Sequence, residues 1–200
     1  MKNITTFAIA ATVVLFASCS GGGKEVLIIS SGKISLGENS VTLSSGTQHN
    51  EEKLRVTDEA FTVKTPEGDR EIKLPDHGLY VLNLKKDTLV GSYQRVVEGT
   101  GETRITQDIL AHRVDSLKQL TAGTNVSAEN KNFFLPPGQL VKISTNLQSQ
   151  VVGPYRKLPT SYEGGKEHEI YKFSTNAEIR EVIEKLKPLM SDVDSTATKK

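Results

Sequence analysis

A handful of residues in this chain carry side chains spaced for chemistry. His112 has Asp108 four residues before it and Asp115 three residues after it. On a helix those offsets share one face, where an imidazole and two carboxylates can hold a hard metal ion or relay a proton. That face lies opposite an apolar stripe, so a solvated polar face explains the same spacing. His168 sits between Glu167 and Glu169. In a strand its neighbours point to the opposite face, and the three cannot converge on one ion without help from elsewhere. Arg113 falls within the apolar stripe. It reads as an anion- or partner-pairing guanidinium, or as a snorkelling side chain ion-paired at the edge of a core. The stretch from Gly153 to Lys166 is the best binding candidate, being longer than the roughly 12 residues above which unstructured loops are uncommon and often functional. Its Tyr155, Arg156, Lys157 and Tyr162 mix amphipathic rings with cations, which suits contact with a peptide, a glycan or an anion. The competing reading is a loop that packs its tyrosines on its own domain.

Standard catalytic signatures are absent: no G-x-S-x-G elbow, no H-E-x-x-H, no EF-hand loop and no glycine fingerprint at a strand–helix junction. Gly21-Gly22-Gly23-Lys24 lacks the spacing and the following Ser or Thr of a phosphate-binding loop and reads as a flexible tether. We therefore expect no catalytic residues, no metal site and no cofactor.

The only cysteine is Cys19. Lys2 precedes an apolar run over 4–17, and Phe16-Ala17-Ser18-Cys19 puts small residues just before the cysteine. That is the layout of a secretory signal with a small-residue cleavage site. With the cysteine at the cut it resembles a bacterial lipoprotein signal processed by signal peptidase II. Phe16 stands where that family usually has an aliphatic residue. The resemblance implies that residues 1–18 are removed and that Cys19 is lipidated on its sulfur and its new amino group. More than one acyl chain gives stable anchoring where a single chain is marginal. The apolar run is shorter than the roughly 20 residues a bilayer-spanning helix needs. A Lys with acidic residues soon after the cysteine resembles the surface-export signal of Bacteroidota-type envelope lipoproteins. Lys24-Glu25 supplies one acid, and a periplasmic-facing or a surface-exposed placement on the outer membrane both stay open.

Residues 1–18 hold one of the 25 basic residues and none of the 24 acidic ones, so the remainder has zero net charge. No basic stretch is long enough to track a phosphate backbone, which argues against nucleic acid as a partner. With Cys19 acylated, no thiol is left for a disulfide or a thiolate metal site, and packing and hydrogen bonds must hold the fold.

The elements that must position the candidate residues are mostly strands. Residues 25–98 read as β. Val26-Leu27-Ile28-Ile29 is a continuous apolar run, as in a buried strand. Ile34/Leu36 with Val41/Leu43 flank a turn at 37–40, and Phe61/Val63 with Ile72/Leu74 flank Pro66-Glu67-Gly68-Asp69, giving two hairpins. Residues 79–84 and 88–97 flank Lys85-Lys86-Asp87 and suggest a third, while the polar Gln48–Lys53 segment reads as an exposed loop. Over 99–190 the pattern is mixed. A helix over 107–120 has Thr106 as N-cap, Ile105 as staple and Gly123 past its end, with a stripe of Ile109, Leu110, Val114, Leu117 and Leu120. A second over 176–187 opens with a Thr175/Glu178 capping box, carries Ile179, Val182, Ile183 and Leu186 on one face, and stops at Pro188. Between them lie strands over 139–145, 150–153 and 167–173, and an anchor at Phe133-Phe134-Leu135. Residues 19–24 form a tether, and 191–200, with almost no apolar content, a disordered tail.

The expected fold over 25–190 is α+β: an antiparallel, β-rich, sandwich-like body with two packed amphipathic helices. The expected function is that of a membrane-anchored envelope lipoprotein acting as a non-catalytic binding module for an envelope protein or glycan. The alternatives are a hydrolase of an envelope polymer and a structural accessory subunit of an envelope transport or secretion complex.

Overall fold

The computed structural model describes residues 23–96, 107–127, 129–156 and 168–196. The signal segment with Cys19, the Thr106 and Ile105 cap, and Lys157 and Tyr162 lie outside the described residues. Twelve strands and two helices follow in the order β1 (Lys24–Ser31), β2 (Ile34–Leu36), β3 (Ser40–Leu43), β4 (His49–Val56), β5 (Ala60–Thr65), β6 (Gly68–Lys73), β7 (Gly78–Leu84), β8 (Leu89–Val96), α1 (Gln107–Thr121), β9 (Asn132–Leu135), β10 (Leu140–Ser144), β11 (Gln150–Val152), β12 (His168–Thr175) and α2 (Asn176–Thr196).

The strands form three four-stranded sheets, β10-β7-β1-β4, β2-β3-β5-β6 and β11-β12-β8-β9. Most pairings are antiparallel; β1/β7, β3/β5 and β11/β12 are parallel. The first sheet is the middle layer. Alternate residues of its strands enter two separate cores. Val26, Ile28, Tyr80 and Leu82 meet Val41, Phe61, Val63 and Ile72 of the second sheet. Leu27, Ile29, Leu79 and Val81 meet Phe133, Leu135, Tyr171 and Phe173 of the third. Burial on both faces is why β1 and β7 read as unbroken apolar runs. Gly91 faces Phe173 across the β8/β12 ladder, and a Cβ there would fall 2.5 Å from the ring. The helices pack on each other beside the outer face of the third sheet, around Val90, Lys172 and Ser174. No described helix is long and apolar enough to cross a membrane. The α+β, β-rich class expected from the sequence is the observed one.

The β2/β3 and β5/β6 hairpins form as expected. So do the capping box, in which Thr175 Oγ1 accepts from Glu178 N–H and Glu178 Oε2 accepts from Thr175 N–H, and the Schellman-type end of α1 at Gly123. Three expectations are corrected. Residues 79–84 and 88–97 do not make a hairpin, because β7 lies in the middle sheet and β8 in the outer one. The fully buried Asn83 folds the connection: its Nδ2 donates to the carbonyls of Asp87 and Leu135, and its Oδ1 accepts from Lys85 N–H. The Gln48–Lys53 segment is the first half of β4, paired with β1 from Ser31↔His49 to Lys24↔Val56. Its consecutive polar side chains alternate between the two faces, with Glu51 buried and His49 and Lys53 exposed. Pro188 does not end α2, which runs to Thr196 and so includes residues assigned to a disordered tail. Proline forfeits one N–H bond and crowds the carbonyl four residues earlier, but a helix can absorb both and continue.

Candidate functional site

The described part of the Gly153–Lys166 stretch, Gly153 to Arg156, is a turn closed by Arg156 N–H donating to Gly153 O. It lies over the edge strand β4 and is held from both sides. From below, the buried Glu51 carboxylate, whose side chain is 3% exposed, accepts from Tyr155 N–H at 3.0 Å through Oε1. Its Oε2 lies 3.5 Å from Arg156 Nε, and Arg156 Nη2 donates to the Glu51 carbonyl at 2.9 Å. From the other side Lys172 Nζ donates to the carbonyls of Gly153 and Arg156, at 2.7 and 2.9 Å. Burial lowers the Lys172 ammonium pKa from its ordinary value, opposed by Glu178 and Glu51. Glycine is required at 153 because a Cβ would fall 2.3–2.5 Å from the Glu51 carboxylate.

This grip fixes Tyr155 without burying it; the residue is 39% exposed. Its ring stacks on His49, with centroids 3.8 Å apart and planes 10° from parallel. Lys85 Nζ lies 4.8 Å from the Tyr155 centroid and 2.7 Å from His49 Nδ1. Those two distances put the ammonium on the same face of Tyr155 as the imidazole. Lys85 is 3% exposed, and its Nζ also lies 3.4 Å from Ser31 Oγ. An ammonium only donates, so in this contact Lys85 Nζ donates and His49 Nδ1 accepts.

The stack forms one wall of an open cleft of about 520 Å³ at the head of α2, within the usual range of about 300–1,000 Å³ for ligand sites. The cleft is also lined by Lys86, Asp87 and Thr88 after β7 and by Asn176, Glu178 and Arg180 of α2. Three stretches remote in sequence thus meet around Tyr155. Arg156 belongs to the support beneath the cleft. His49, Lys85 and Lys172 were not singled out by the sequence reading. His49 lies in a polar segment that reads as a loop, and Lys85 in a three-residue link that reads as a hairpin turn. The signal for a strand over 49–56 is confined to its last four residues, where Lys53-Leu54-Arg55-Val56 alternates, while 49–52 are polar throughout.

The other sequence candidates lie elsewhere. Asp108, His112 and Asp115 are all exposed on α1, as is Arg113, which borders a small hollow of about 180 Å³ between the helices and the outer sheet. No group of three or more His, Cys, Asp or Glu suited to a metal ion occurs among the described residues. Glu169 is the centre of a polar nest, accepting from Ser149, Tyr171 and Lys131. Burial alone would raise its carboxyl, but these hydrogen bonds and the Lys131 charge outweigh it and hold the group down at about 2. A carboxylate so low and so fully engaged is a poor general base near neutral pH, despite the serine beside it. Burial and the Glu169 charge push the Tyr171 hydroxyl well above its ordinary value. Compared with protein-family models, curated protein sequences and solved structures, the chain matches none.

Proposed function

We propose that this chain is a membrane-anchored envelope lipoprotein, held through lipid on Cys19, and that it works as a non-catalytic binding module whose contact surface is the Tyr155 cleft. One observation carries the reading: a buried carboxylate and a lysine spend their hydrogen bonds on presenting Tyr155 rather than on packing it. A ring ordered before its ligand arrives loses little freedom on binding. The supporting carboxylate of Glu51, its side chain 3% exposed, is too enclosed to touch a ligand itself. The partner is an envelope component, protein or glycan.

The test is crosslinking in intact envelopes with three forms of the full chain. Wild type should give a discrete crosslinked product, and Tyr155→Ala should lose it while keeping its melting temperature within a few degrees. Cys19→Ser should leave an unlipidated precursor with different processing. An undiminished product from a folded Tyr155→Ala protein would remove the cleft from the reading, and equal membrane retention and processing of Cys19→Ser would remove the lipid anchor.

A further inference from the structure

We infer that the cleft takes a saccharide, one sugar unit of a glycan seated against Tyr155; this rests on the binding reading above. A sugar ring presents a face of C–H groups and a rim of hydroxyls. It therefore needs a flat aromatic surface beside side chains that only donate and side chains that only accept. The cleft has that composition. The imidazole and the ammonium both lie against one face of Tyr155, and the residue, which lines the cleft, keeps 39% of its surface exposed. The same cleft is lined by the donors Lys86 and Arg180 and the acceptors Asp87 and Glu178.

The two rival ligand classes fit less well. A phosphate or carboxylate calls for donors alone, yet two carboxylates border this cleft. The head of α2, otherwise an anion site, is already engaged by Thr175 and by the Glu178 carboxylate. An extended peptide binds by adding a strand to a free sheet edge. Here the nearest edge, β4, is covered by the Gly153–Arg156 turn, and Arg156 occupies the Glu51 carbonyl. A polyol is the class that uses donors, acceptors and ring together.

The experiment uses the full-length protein in a detergent without a sugar headgroup. The probes are a printed panel of neutral, N-acetylated and acidic oligosaccharides, with inorganic phosphate and an extended peptide of mixed sequence as separate arms. Saccharide binding should weaken about tenfold or more in Tyr155→Ala. It should stay within about threefold of wild type in Tyr155→Phe, which keeps the ring. Asp87→Asn alters only an acceptor on the rim and should also weaken it, so the assignment stays testable if Tyr155→Ala fails to fold. Retention of phosphate or peptide but of no saccharide would overturn the inference, as would saccharide binding indifferent to both Tyr155→Ala and Asp87→Asn. If no saccharide binds but the Tyr155-dependent crosslink in envelopes persists, the saccharide is wrong and the binding face stands. If both are lost, the binding reading falls with it.

Discussion

Glu51 is the residue on which the candidate site depends. It is a carboxylate buried at a sheet edge, and its partners lie more than a hundred positions along the chain. Gly153→Ala would drive a methyl into that carboxylate and force it off its partners, leaving a charge buried with poorer hydrogen bonding. A cost of about 1–3 kcal/mol is expected. In a Glu51→Ala background the obstacle is gone, and Gly153→Ala should cost well under about 1 kcal/mol. Urea unfolding of the two single variants and the double variant measures that coupling; additive losses would show that the two residues do not meet as described. Glu169 gives a pH prediction. Its folded value of about 2 lies below the ordinary 4.5, so it contributes stability that is fully present above about pH 4.5 and is lost as pH falls toward 2. Glu169→Gln should flatten the acid limb of a stability–pH curve in that window, whereas an unchanged slope would count against the nest. Neither burial was legible in sequence: Glu51 lies among polar neighbours, Glu169 stands out only as a flank of His168, and the residues that cover them are distant in sequence.

Among the elements, α2 shows how far periodicity reaches. The capping box and the stripe were legible because both are set by residues within two turns of each other. The burial along the stripe was not, because it depends on what the helix meets. Ile183 is buried, Ile179 and Leu186 are half-buried, and Val182 is 39% exposed. Ile183→Ala should therefore cost about 2–4 kcal/mol, as for a truncated core aliphatic. Val182→Ala should cost less than half of that, and thermal melts of the two proteins decide it; similar shifts would mean that the helix docks on a different face. The two short hairpins were legible for the same local reason. The β7–β8 crossing was not, since a three-residue polar link looks alike whether it reverses a strand or hands the chain to another layer. Asn83 decides between them through a bond to Leu135, 52 positions away.

At the scale of the whole molecule, the middle sheet is a single direction marker. Strands β1 and β7 run parallel, Lys24 beside Gly78 and Ser30 beside Leu84, and antiparallel β4 brings Val56 to the first end and His49 to the last. His49 and Lys85 therefore sit where β1 finishes, not where it begins. The eight residues of β1 rise about 3.3 Å each, which puts roughly 23 Å between its ends. Only four residues separate Lys24 from Cys19, and the five steps between them reach at most about 18 Å when fully extended. Anchored at Cys19 as proposed, the protein would stand on the bilayer with the Lys24 end down, and the Tyr155 cleft would open at its crown, facing away from the lipid. Fluorophores placed through Asp58→Cys and Asp87→Cys test this on vesicles carrying a headgroup quencher. Asp58, whose carbonyl accepts from Lys24 Nζ, should be quenched and Asp87 spared; equal quenching would mean that the molecule lies on its side. Standing upright, the protein would offer its ring outward, toward whatever polymer or neighbour lies beyond the membrane rather than toward the membrane itself.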